Sequence, residues 1–217
     1  MFYEVSGCYG LAHYRVSVKA HTLGGSMNNF NIHSLDTAPM ASKSLLEGLQ
    51  TGIGFIPNIF SVTAESSLAL ENLVNLSNAF SASQFSPQEQ QIILLATSTE
   101  NECVYCVAGH SAFSKQLNIA PAVVEAMRNK QPLTNAKLNA LSNIVRQLVI
   151  HRGQISEQVM SDFLHAGYSK AQFFELVLGI CLKVFTNYVS NALNVPVDKE
   201  FEAFSWQRPS RAITDTY

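Results

Sequence analysis

From Ser42 onward, apolar residues recur three and four positions apart, the spacing of one helix face, and no stretch alternates for long enough to predict a strand. Ser42 to Gln50 reads as a short amphipathic helix, and the loop Gly52-Ile-Gly-Phe-Ile-Pro57-Asn interrupts it before Ile59 resumes. Leu68, Leu70, Leu73, Val74, Leu76 and Phe80 predict a further helix up to a break at Ser81 to Ser86. Pro87 suits a first helical position with Ser86 as N-cap, and Ile92 to Ala96 supplies the apolar run. A turn is predicted at Thr97 to Glu100, then the helix that carries Cys103 and Cys106, with Thr99-Glu-Asn-Glu102 at the spacing of a capping box. Pro121 starts a short helix and Asn135 to Arg152 forms a long one closed by Gly153. Ser156 to His165 is closed by Gly167, and Ser169 to Asn194 is ended by Pro196. The expected fold class is all-α, a helical bundle of about seven to nine helices.

Two segments stand apart. Residues 1–30 follow neither period and end in the turn-rich Gly24-Gly25-Ser26. They read as an N-terminal appendage, not native if Met27 is the natural start, which leaves 31–217 as a single all-helical domain. The stretch Phe173 to Leu193 is apolar over nearly its whole circumference and long enough to span a bilayer, but Glu175, Lys183 and Asn187 punctuate it. It is expected to be a buried or interface helix, with no membrane partner. Its excess of apolar residues, with 47% hydrophobic and only 14% charged residues in the chain, predicts a homo-oligomer. A net charge of −2 with no run of Lys or Arg offers no footprint for nucleic acid. Scattered charges at the N-terminus and only 4 cysteines predict a cytoplasmic chain without a disulfide framework.

The chemistry concentrates in Cys103-Val-Tyr-Cys106-Val-Ala-Gly-His110. On a helix, positions three and four apart are neighbours, so both thiols and the imidazole would share one face within about two turns. A thiol near a helix N-terminus feels the positive end of the macrodipole, a neighbouring imidazole can take its proton, and the second thiol can close a disulfide. Glu100 and Glu102 work the other way, because negative charge raises a thiol pKa, so only moderate acidity is expected. Two other readings stay open: cysteines that merely pack, or a Cys/Cys/His zinc site needing His151 or His165 to fold back as fourth ligand. His151 otherwise reads as a helix C-cap, Cys181 as a core residue, and Trp206 as a side chain packed on the bundle or a neighbouring subunit. Cys8, His13 and His21 lie in the appendage with no expected role.

The run Ser86-Pro-Gln-Glu-Gln-Gln-Ile-Ile-Leu-Leu-Ala-Thr-Ser followed by Cys103 to His110 resembles the core of the alkylhydroperoxidase D and carboxymuconolactone decarboxylase superfamily. Gly54-Phe-Ile-Pro-Asn-Ile-Phe60 and Phe185-Thr-Asn-Tyr-Val189 resemble motifs of its peroxidase-related subgroup, and the likeness covers about residues 35 to 205. The resemblance implies a hydroperoxide reductase without metal or organic cofactor. In it Cys106 attacks the peroxide, Cys103 resolves the sulfenic acid and His110 moves the proton. It also implies a trimer or hexamer and a lipoylated or thioredoxin-like dithiol reductant. Two positions depart from the pattern. The family's relay glutamate, twelve residues before the first cysteine, is Gln91 here, and a histidine that some members place between the cysteines is Tyr105. A carboxamide takes no proton at neutral pH, so the relay is broken or rerouted through Glu89 or Glu102, turnover is expected to be weak, and Gln91→Glu is expected to raise it. The alternatives are a thiol-disulfide relay with a protein partner and a non-enzymatic helical oligomer with unused thiols.

Overall fold

A computed structural model describes residues 30–208. Residues 1–29, and with them most of the proposed appendage, Cys8, His13 and His21, lie outside the described residues. Among those described there are nine α-helices and one 3-10 helix. In chain order these are α1 (Met40–Ile53), α2 (Asn58–Thr63), α3 (Ser67–Ser81), α4 (Pro87–Glu100), α5 (Val104–Gln116), α6 (Pro121–Arg128), α7 (Ala136–Ile150), α8 (Glu157–His165), α9 (Lys170–Leu193) and the 3-10 helix Lys199–Phe204.

Most helices start where side-chain chemistry places them. Ser86 and Glu89 form a reciprocal capping box at α4, Ser169 and Gln172 another at α9, and Asn135 and Ser156 cap α7 and α8. Gly153 and Gly167 adopt the left-handed backbone just past α7 and α8, and His151 is the C-cap of α7. One boundary differs from expectation. Thr97, Ser98 and Thr99 form no turn: they continue α4, buried, because each hydroxyl bonds to a carbonyl of the preceding turn, at 2.8, 2.7 and 3.1 Å. Thr99 is therefore no cap, and the chain turns at Asn101 and Glu102, the latter at φ 52°.

Helix α4 is the axis of the bundle. It packs against α5, α6, α7 and α9, and residues Ile92 to Thr99 are buried all round, which is why no single apolar stripe marks it. Helix α9 runs beside it and also packs against α2, α3, α5 and α7. By length and composition alone α9 is apolar enough to cross a bilayer, yet it carries Lys183, Thr186, Asn187 and Ser190 inward as buried polar groups. Its other side leaves Phe174 and Tyr188 exposed, and Cys181 with them. Cys181 is thus not a core residue in the single chain: the register that turns Lys183 and Asn187 inward turns position 181 outward.

The α3–α9 contact depends on Gly179, where an added Cβ would sit 2.5 Å from the buried Phe80 ring. Gly179→Ala should destabilise the fold by about 1–3 kcal/mol through overpacking, despite a helix-propensity gain of roughly 1 kcal/mol. Thermal unfolding checks it, and an unchanged midpoint would show that Phe80 swings aside freely.

After Asn194, the chain returns as a strap across α5. Arg128 donates to the carbonyls of Phe204 and Ser205 at 2.9 and 2.8 Å, and Trp206 Nε1 donates to the Arg128 carbonyl at 3.1 Å, so Trp206 packs on the bundle. Asp198 anchors the strap's other end, accepting from Tyr105 Oη at 2.5 Å and from the Asn58 backbone at 3.0 Å. Phe201 then lies against Tyr105, Phe113 and Phe55 over the cysteine helix.

Candidate active site

Cys103 is not inside the helix that follows it. It is the N-cap of α5, and its Sγ accepts from the Cys106 backbone N–H at 3.3 Å. Cys106 occupies the first turn, His110 follows one turn later, and both line one cavity of about 250 Å³. Cys103 stands behind Cys106, fully buried, and does not line that cavity. Both thiols are free. The cavity walls are mostly apolar, with Phe60, Phe80, Phe113 and Phe201 among them, and no carboxylate among the described residues lines it.

Helix α9 supplies what faces the thiols. Lys183, Thr186, Asn187 and Ser190 recur at helical spacing, so one stripe meets the first turn of α5. Ser190 Oγ lies 3.8 Å from Cys106 Sγ. Asn187 is held by Ser98 Oγ at 3.3 Å and Asn101 Nδ2 at 3.0 Å, and hydrogen-bonds Cys106. Lys183 lines the cavity beside Cys106 and is only 6% exposed.

These neighbours separate the two thiols. Burial works against ionising Cys106, but a hydrogen bond from the Cys103 thiol, the Lys183 charge and bonds from Asn187 and Ser190 outweigh it, and the group is lowered to about 6. Cys103 moves the other way, because its hydrogen bond to Cys106 and its own burial push the thiol well above the ordinary value. Neither of the nearby glutamates lines the cavity that Cys106 faces. Glu100 is neutralised by Lys130 and Arg146, each at 2.8 Å. Glu102 lies in the α4–α5 turn, where its carbonyl accepts from Arg208, and it does not line the cavity.

Desolvation and the Lys183 charge hold His110 well below the usual imidazole range, so the ring is neutral at pH 7. Its Nδ1 lies 2.9 Å from Gln91 Oε1. A carboxamide oxygen only accepts, so Nδ1 carries the proton and Nε2 keeps its lone pair. Gln91 therefore stands beside His110 on the cavity wall. Glu89 does not: it is occupied by Ser86 at 2.8 Å and Tyr168 at 2.9 Å in the cap of α4. Tyr105 lines the cavity, and its hydroxyl donates to Asp198 and accepts from the Ile59 N–H at 3.2 Å. No group of three His, Cys, Asp or Glu side chains among the described residues is arranged to hold a metal ion. His165 is bonded to Ser161 at 3.1 Å in α8.

No family model matches this sequence, and no curated protein matches it. Solved structures do. An uncharacterized peroxidase-related protein from Silicibacter sp. TM1040 superposes with a TM-score of 0.70 at 20% identity, over 81% of this chain and 93% of that one. An alkylhydroperoxidase AhpD core protein from Ralstonia eutropha JMP134 gives 0.71 at 18% identity, over 79% and 93%. The debrominase Bmp8, in complex with 2,3,4-tribromopyrrole, gives 0.72 at 16% identity, over 83% and 97%. The all-helical architecture built around α4, α5 and α9 is thus the fold of the alkylhydroperoxidase-like, peroxidase-related proteins, a fold that a debrominase shares.

Proposed function

We propose that the protein is a thiol-dependent peroxidase that reduces organic hydroperoxides through a Cys103/Cys106 dithiol-disulfide cycle. The observation that carries this reading is the asymmetry of the pair: an acidic Cys106 on the wall of an apolar cavity, with Cys103 hydrogen-bonded behind it. The Cys106 thiolate attacks the terminal oxygen of ROOH, forming an S–O bond as the O–O bond breaks, and the alkoxide leaves as ROH after gaining a proton. Cys103 then displaces water from the sulfenic acid to give the disulfide. A dithiol reductant, lipoylated or thioredoxin-like, returns the pair to its reduced state. His110, with Nε2 unprotonated, accepts a hydrogen bond from the hydroperoxide O–H and orients it. The cavity favours this over a relay with a protein thiol, because Cys106 lines an apolar space able to hold a small organic molecule, which a relay does not require.

A second reading is favoured by the phenylalanine-lined cavity, which suits a flat ring. The same thiols would reductively remove bromine from a haloaromatic, a C–H bond replacing C–Br and bromide leaving as the disulfide forms.

The test is hydroperoxide consumption with dithiothreitol as reductant. Cys103 and Cys106 should be lost together from the free-thiol count, with Cys181 untouched in the fast phase. The rate should also report the lowered thiol. Thiolate is present above about pH 6 and is protonated as the pH falls through that value, so activity and iodoacetamide alkylation should both fall below it. A fast phase that survives replacement of both cysteines would sink the proposal. Bromide release from 2,3,4-tribromopyrrole without hydroperoxide consumption would select the second reading.

A further inference from the structure

Resting on the peroxidase reading, we propose that Lys183 is a catalytic residue of this site, whose ammonium donates the proton that the departing alkoxide requires. Burying a lysine in an apolar wall is costly and persists only where a partner charge repays it. Lys183 is buried, lines the cavity with Cys106 and His110, and meets no carboxylate on the cavity wall among the described residues. The anion available to it is the Cys106 thiolate.

Following the protons through the cycle singles it out. When the thiolate takes the terminal OH from ROOH, the electron pair of the O–O bond leaves on RO⁻, a strong base that needs a proton as it forms. His110 has no proton at Nε2, and its Nδ1 proton is engaged by Gln91. The Tyr105 hydroxyl donates to Asp198. The Thr186 hydroxyl donates to backbone carbonyls of its own helix. The Cys103 thiol hydrogen-bonds Cys106 and does not line the cavity. Ser77 and Ser81 also line the wall with neutral hydroxyls, so the ammonium of Lys183 remains as the cationic donor among the described lining residues.

The charges also balance over the full cycle. The reduced site holds a thiolate and an ammonium. Proton transfer to RO⁻ leaves a sulfenic acid and a neutral amine, and condensation with Cys103 releases water and leaves an uncharged disulfide beside that amine. Reduction by a dithiol returns both thiols, and the proton that Cys106 then sheds recharges Lys183. The cavity therefore stays neutral in both redox states, which a permanent carboxylate partner for the lysine would prevent.

The experiment compares wild type with Lys183→Met and Lys183→Arg in single-turnover sulfenic acid formation. The oxidants run from alkyl hydroperoxides, with strongly basic leaving groups, to peracetic acid, whose acetate leaving group needs no proton. Rates are followed to a pH above about 9.5, with the thiolate fraction of each variant read from its ultraviolet absorbance, because burial works against ionising Cys106 once the Lys183 charge is removed. For Lys183→Met we expect a loss of about 10²- to 10⁴-fold toward alkyl hydroperoxides that persists at that pH, and little loss toward peracetic acid. Lys183→Arg should keep the thiol acidic yet show the same dependence on leaving group, since guanidinium is a far weaker acid. A deficit that vanishes once the thiol is ionised, or one equal for all oxidants, would overturn the proposal and leave the peroxidase reading standing. A wild type that reduces none of these oxidants would overturn both. Lys183→Arg keeps the buried charge, so it carries the test if Lys183→Met fails to fold.

Discussion

Cys106→Ser should bring hydroperoxide reduction down to the uncatalysed background, whereas Cys103→Ser should complete one turnover and stop. Serine is not ionised at neutral pH, so at position 106 it cannot supply the nucleophile. At position 103 the same change is mild. Cys103 is the N-cap of α5 and accepts from the Cys106 N–H, a role serine fills well, whereas alanine would cost about 1 kcal/mol. The serine hydroxyl also still donates toward the Cys106 thiolate, so the attacking group stays acidic and the first turnover stays fast. What is lost is resolution: the sulfenic acid on Cys106 persists and can be trapped with dimedone. The opposite pattern, with Cys106→Ser accumulating the sulfenic acid, would mean that Cys103 attacks, although its thiol is raised by its bond to Cys106 and lies behind the cavity.

The helical fold and the thiol pair were legible in the sequence for different reasons. Caps such as Ser86, Asn135 and Ser169 mark helix starts through local chemistry that needs no tertiary partner. Thr97 to Thr99 misled because hydroxyl residues favour turns in water. Buried against neighbouring helices, they satisfy themselves on their own helix instead. The spacing of Cys103, Cys106 and His110 brings them together, but it cannot show that Cys103 caps α5 or that only Cys106 meets the cavity. Those facts depend on where α9 and the C-terminal strap pack. Lys183 and Asn187 were visible only as interruptions of an apolar helix. The signal that could have found them is that Lys183, Thr186, Asn187 and Ser190 fall on one helix face, since a polar stripe in a core helix must meet something polar. The 3-10 helix Lys199–Phe204 and its Phe201 contact had no periodic signal, being too short to show one.

Position 91 is where Lys183 changes an expectation. From the sequence alone, Gln91→Glu restores a missing base and raises the rate. In the folded site the thiol is already lowered to about 6, with Lys183 among the causes, so no base is needed to ionise it at neutral pH. A carboxylate at this position would stand within hydrogen-bonding reach of His110 Nδ1, in the same cavity as Lys183 and Cys106. Its charge would raise the His110 pKa by pairing with the imidazolium, and would raise the Cys106 pKa by repelling the thiolate and competing for Lys183. Each pK unit of that rise costs about tenfold in thiolate below the midpoint. Gln91→Glu should therefore shift the pH-rate profile of sulfenic acid formation upward and slow the reaction at pH 6, with recovery on the alkaline side. Gln91→Leu removes the acceptor that holds the Nδ1 proton. It leaves the tautomer unfixed and should cost about 10²-fold at every pH, the lower end of what a positioned base contributes. A Gln91→Glu enzyme that is faster near neutrality with an unshifted midpoint would show that the site does lack a carboxylate relay, and that the thiol is not already ionised in the way the cavity's charges imply.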